Sequence, residues 1–201
     1  HSITTGYQNT LMGISAGLVA TTASGSVFIG YSAGGGNTTG NYNIAIGAQA
    51  LNASATTGDN NIAIGYAALG ALTSGHSNIM MGKDAGGAMT TCNSNVVIGV
   101  QAGDALTSTS DIVLVGRGAG SAINSTDADG SVGIGKNALL ALTDGDGCTA
   151  IGFQALATTT TGEKNNIIYG SLHKLPHSIC CVMYNIYYIW SARSIGGAIP
   201  Y

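Results

Sequence analysis

The chain has 201 residues, 32 of them glycine, with only 7% charged residues and a net charge of −3. That balance excludes a nucleic-acid binder, which needs a basic patch, and no apolar stretch reaches the 18 or more residues of a membrane-spanning helix. Four cysteines, Cys92, Cys148, Cys180 and Cys181, show neither CxxC spacing nor a disulfide framework, so they leave the compartment open. His1 has no signal-like segment behind it, and the chain is expected to be a processed or excised piece.

From residue 4 onward the sequence is one unit written ten times. Glycine recurs at Gly13, Gly30, Gly47, Gly65, Gly82, Gly99, Gly116, Gly135, Gly152 and Gly170, with gaps of 17 to 19 residues. Nine residues before each stands a threonine: Thr4, Thr21, Thr38, Thr56, Thr73, Thr90, Thr107, Thr126, Thr143 and Thr161. All length variation therefore lies between a glycine and the next threonine, where a loop that accepts insertions is expected. The period is too short for helical repeats or propeller blades and fits one turn of a β-solenoid. Proline, which cannot donate to a strand ladder, agrees with this: Pro176 and Pro200 both follow the last repeat.

Each unit predicts a short strand ending at its glycine, from Thr10-Leu11-Met12 through Ile44-Ala45-Ile46 and Val96-Val97-Ile98 to Ile167-Ile168-Tyr169. The columns three and one before the glycine are dominated by Ile, Val and Met. On a strand of period two they share a face, which is expected to line the interior. Ala16, Ala33, Ala50 and their equivalents, three after the glycine, are expected to face that strand across a narrow core. The middle column, including Leu11, Phe28, Met80, Val97 and Leu114, is then expected to point outward. It is apolar or glycine throughout, so this face needs a cover. The expectation is a cyclic oligomer of parallel, in-register solenoids, with three chains as the usual number.

Units such as Asn61-Ile62-Ala63-Ile64-Gly65-Tyr66-Ala67-Ala68-Leu69 and Cys148-Thr149-Ala150-Ile151-Gly152-Phe153-Gln154-Ala155-Leu156 resemble the AIG-type repeats of phage and large-virus fibre proteins. They also resemble the head domains of trimeric autotransporter adhesins, whose units are shorter. The resemblance covers residues 4 to 170. It implies a left-handed parallel β-roll, a homotrimer, no cofactor, and a structural or host-attachment role outside the particle or cell.

The remaining candidate features follow the chain. Asn9, Asn43, Asn61, Asn78, Asn95 and Asn166 predict a side-chain amide ladder along the rod. The threonine column raises ice binding as an alternative function, but a single column is better explained by turn hydrogen bonds. Just after the glycines, Tyr31, Tyr66 and Phe153 can stack on sugars, within a mixed column that reads as outer surface. Gly116-Arg117-Gly118-Ala119-Gly120 and Gly133-Ile134-Gly135-Lys136 mimic phosphate loops, yet no helix follows them. Asp127, Asp129, Asp144 and Asp146 fall at matching offsets in consecutive units. They are a candidate calcium patch set against ordinary solvated turns, and without an aromatic cleft they make a poor glycosidase pair.

Residues 1–170 are thus expected to form an all-β parallel β-solenoid of about ten rungs. Residues 171–201, rich in aromatic and apolar side chains, are expected to form a cap, trimer clasp or junction. The functional expectation is a non-enzymatic viral or phage fibre segment on the virion surface, partnered by other fibre or virion proteins and by a host glycan or receptor. A bacterial surface adhesin is the alternative. No catalytic, cofactor or metal residue is assigned, and neither nucleic-acid binding nor membrane insertion is expected.

Overall fold

The computed structural model describes residues 4–161 and the strand Ile167–Tyr169; the segment expected to cap the rod, 171–201, lies outside them. Ten three-residue strands follow one another: β1 (Thr10–Met12), β2 (Val27–Ile29), β3 (Ile44–Ile46), β4 (Ile62–Ile64), β5 (Ile79–Met81), β6 (Val96–Ile98), β7 (Val113–Val115), β8 (Val132–Ile134), β9 (Thr149–Ile151) and β10 (Ile167–Tyr169). Each pairs in parallel with the next, giving a single ten-stranded sheet in sequence order. The register joins like with like: Ile44 faces Ile62, Ala45 faces Ala63, and Ile46 faces Ile64.

Pairing does not stop at the strand ends. Gly30 N–H donates to the Met12 carbonyl at 2.8 Å, Ser32 N–H to Ile14 at 2.9 Å, Gly17 N–H to Ala33 at 2.9 Å and Thr21 N–H to Thr38 at 3.0 Å. Rung-to-rung bonds around the coil satisfy backbone groups that turns would otherwise leave to water. The molecule is a parallel β-solenoid, and its helical content among the described residues is the 3-10 turn Thr126–Ala128, N-capped by Ser125. That turn occupies the longest unit, between β7 and β8, and takes up its extra residues after Asn124, whose carbonyl accepts from Thr107 as a threonine's does elsewhere, and before Asp129, which pairs with Ser110. The insertion is therefore not confined to the stretch from Gly116 to Thr126, as the sequence spacing suggested.

The glycine column has a steric cause. From Gly13 to Gly152 these glycines adopt φ between +125° and +143°, a region closed to other L-residues. The rung below closes it further: a Cβ on Gly82 would lie 2.5 Å from the carbonyl oxygen of Gly99.

The strand orientation is the reverse of the sequence expectation. In β2 through β9 the middle residue is the buried one, while the residues on either side are partly exposed. Phe28, Met80, Val97 and Leu114 are fully buried, whereas Ile46, Met81 and Ile134 keep 36%, 38% and 37% exposure. The physical reason is the width of the coil. A three-residue strand facing an alanine column has room for one inward side chain, not two. Ala16, Ala33, Ala50, Ala68, Ala85, Ala102, Ala119, Ala138 and Ala155 are all fully buried opposite it, as expected.

Each rung then balances volume against one further position, four after the glycine. Where the middle residue is large (Leu11, Phe28, Met80, Val97, Leu114) that position is glycine (Gly17, Gly34, Gly86, Gly103, Gly120); where it is Ala or Gly (Ala45, Ala63, Gly133, Ala150) it is leucine (Leu51, Leu69, Leu139, Leu156). Contacts explain the rule. A Cβ on Gly34 would sit 2.5–2.6 Å from three carbons of the Phe28 ring, and one on Gly120 would sit 2.7 Å from Leu114. The leucines accept a left-handed backbone, with φ from +50° to +56°, at roughly 1–2 kcal/mol each, offset by the apolar area they bury.

Candidate interaction faces

Inverting the strands moves the exposed apolar face and does not remove it. Outside the sheet run two columns: Val27, Ile44, Ile62, Ile79, Val96, Val113, Val132 and Thr149 in one, and Ile29, Ile46, Ile64, Met81, Ile98, Val115, Ile134 and Ile151 in the other. All are partly or largely exposed, and neither column contains a charge. Seven rung spacings of about 4.8 Å make this strip roughly 34 Å long. Parallel sheets are ordinarily covered on both faces, and among the described residues this one is covered on its inner face alone.

Inside the coil, the asparagine ladder forms as expected over four rungs. Asn61 Nδ2, Asn78 Nδ2 and Asn95 Nδ2 donate to the Oδ1 of Asn43, Asn61 and Asn78 at 3.2, 3.0 and 3.1 Å. Each also donates to a carbonyl of the rung below, such as Gly75 from Asn61 at 2.9 Å. Asn43, Asn61, Asn78 and Asn95 are fully buried. The ladder ends at Ile112, whose N–H donates to Asn95 Oδ1. Asn9 lies two rungs above Asn43, with Ser26 between them, and Asn166 is outside the described residues.

A second ladder, at the outer turn, escapes sequence reading. Ser24, Asn41, Asp59, Asn93, Ser110 and Asp129 each accept, through a side-chain oxygen, the N–H of the residue one rung above. Serine, asparagine and aspartate share only that oxygen, so no residue type recurs to mark the column.

Most of the threonine hydroxyls are committed. Those of Thr4, Thr21, Thr38, Thr73 and Thr90 donate to the next rung's threonine carbonyl at 3.0–3.2 Å. Where the period lengthens, the alignment shifts. Thr56 turns inward and is buried, bonding Leu72, while Thr57 donates to Thr73 in its stead.

The acidic turns do stack: Gly145 N–H donates to the Asp127 carbonyl at 3.1 Å, and Gly147 N–H to that of Asp129 at 3.0 Å. Their carboxylates do not converge. Asp129 is occupied by Ser110 N–H at 2.7 Å, and among the described residues no group of three or more His, Cys, Asp or Glu could hold a metal ion. Among the other titratable groups, burial pushes the Cys92 thiol up to about 11, which makes it a poor nucleophile. Burial, and then the neighbouring Asp84, raise Asp104 above its ordinary value.

Ile14, Tyr31, Ala48, Tyr66, Lys83, Val100, Arg117, Lys136 and Phe153 form the column just after the glycines; Ala48 is partly exposed and the other eight are exposed. Within it, Lys136 Nζ lies 5.6 Å from the centre of the Phe153 ring. Both phosphate-loop look-alikes fall in ordinary rungs, Arg117 and Lys136 taking the same position as Tyr66. No helix among the described residues is long and apolar enough to cross a membrane. Comparison with protein-family models, curated proteins and solved structures yields no match to this chain.

Proposed function

We propose that the chain is a non-enzymatic segment of a homotrimeric fibre, carried on a virion surface, which spaces or attaches a particle to its host. The observation that carries this reading is the uncharged outer face of the sheet. A parallel sheet with one bare apolar face calls for a cover, and a closed cyclic arrangement of copies lets every copy bury the same strip without leaving an open end. The residues available on the remaining faces suit a rod. Polar side chains in the turns are largely spent on rung-to-rung bonds, so they stiffen the coil instead of offering groups for catalysis. A rod with three equivalent sides acts by reach and by multivalency, gaining avidity from weak contacts.

A bacterial trimeric adhesin of the same build shares this face, and the two are separated by location. Antibodies raised against the purified chain and imaged by immunogold microscopy are expected to decorate projections on virus particles. Labelling confined to a cell surface would replace the viral reading with the adhesin, and labelling of neither would overturn both. The ice-binding alternative loses support, because threonine hydroxyls that donate to the next rung have no proton left to give to water.

A further inference from the structure

We propose that the column just after the glycines is a binding rail for a linear acidic polysaccharide. This rests on the attachment half of the proposed function and names its ligand class. Lys83, Arg117 and Lys136 are the only lysine or arginine residues among those described, and all three stand in this one column. Chance placement on a coil of 17 to 19 positions per turn does not favour that concentration. Exposed rings continue the same line: Tyr66 is 50% exposed and Phe153 52%.

Tyr66, Lys83, Arg117, Lys136 and Phe153, with Val100 between Lys83 and Arg117, occupy six consecutive rungs, whose five spacings of about 4.8 Å cover roughly 24 Å along the rod axis. The 5.6 Å between Lys136 Nζ and the Phe153 ring centre shows that neighbours on the column lie side by side. An extended sugar chain laid along it meets both chemistries it needs. Aromatic faces stack against sugar C–H surfaces, and the guanidinium and ammonium groups donate charge-assisted hydrogen bonds to carboxylate or sulfate. Lys83 is held by Asp84 at 3.6 Å, yet its side chain is 60% exposed, so the pair exchanges partners at little cost. Asp84 stands in the neighbouring column, two after Gly82, and no described aspartate stands in the rail's own column. Three spaced cations suit a sparsely charged sugar polymer better than a nucleic acid, whose dense phosphates a chain of net charge −3 repels.

The test is retention of fluorescein-labelled hyaluronan, which carries one carboxylate per disaccharide, by the native protein at low salt, with neutral dextran and a single-stranded DNA oligonucleotide as comparators. We expect hyaluronan to bind and dextran not to. The triple substitution Lys83→Gln, Arg117→Gln, Lys136→Gln should lower affinity at least tenfold, and Tyr66→Ala with Phe153→Ala at least threefold. Both variants alter exposed side chains, and native mass measurement checks that their assembly equals the wild type's. Absence of wild-type binding, undiminished binding by the triple variant, or equally tight binding of the oligonucleotide would overturn the proposal. The fibre reading fails separately: particles that label with antibody but bind no sugar leave a spacer, while sugar binding without particle labelling removes the virion and leaves the rail.

Discussion

Exchanging the bulky residue of one rung for its opposite arrangement tests the packing rule directly. Phe28→Ala empties a fully buried site and should cost about 3–5 kcal/mol. Gly34→Leu alone drives a Cβ to within 2.5–2.6 Å of the Phe28 ring and places leucine at φ +58°. Overpacking and left-handed strain together cost about 3–4 kcal/mol. Were the two effects independent, the double variant would lose about 7 kcal/mol. The combination, however, recreates the Ala45 and Leu51 arrangement found one rung below. Its remaining cost should be about 2 kcal/mol, for the strained leucine and the gap left beside Gly17, where a Cβ would lie 3.1 Å from the Phe28 ring. The predicted coupling is therefore about 5 kcal/mol. Urea unfolding of all four proteins measures it, with native-state hydrogen exchange at rung amides as the check where a repeat array departs from two-state behaviour. A double variant as unstable as the sum of its parts would refute the compensation rule and the inward orientation of the middle column.

Three other predictions concern the rungs themselves. Asn61→Ala should cost about 2–5 kcal/mol, since it strips bonds from Gly75 and Asn78 in a buried ladder; Asn61→Ser, which copies the Ser131 rung and its bond to Gly145, should recover part of that loss in the same melts. Gly82→Ala, facing the Gly99 carbonyl at 2.5 Å and φ +135°, should disrupt exchange protection around β5 and β6, and a variant as protected as the wild type would contradict the steric argument. Cys92, with its thiol raised to about 11, should resist alkylation at pH 8 until the coil unfolds, as followed by peptide mass mapping. Because its folded value exceeds the unfolded 9.0, its contribution to stability is full below pH 9 and declines as pH rises through 11, a loss that Cys92→Ala should not show.

The period, the glycine column and the missing prolines were legible because backbone geometry dictates them, residue by residue. Strand orientation was not. With Ile62, Ala63 and Ile64 all apolar, alternation supplies a period without a phase. The phase is written six residues away, in the pairing of Ala63 with Leu69 and of Phe28 with Gly34, and it becomes readable only when volumes are summed across the coil. The inner asparagines were visible because one residue type repeats. The outer ladder through Asn41, Asp59 and Ser110 was invisible because only a shared oxygen does. Of the candidate site, the column after the glycines could be listed, but its significance depended on knowing that Lys83, Arg117 and Lys136 share an exposed line.

The central claim, that the outer strip of the sheet is buried between copies of the chain, is tested most directly by native mass spectrometry of the wild type beside Ile46→Lys with Ile98→Lys. Both positions lie on the strip and outside the coil's interior, so the single chain should fold in either protein. The account predicts three times the chain mass for the wild type and a folded single chain for the variant, because a lysine pair facing its own copies in an apolar interface is strongly destabilising. A wild type that stays monomeric at micromolar concentration, or a variant that keeps the wild-type mass, would contradict it.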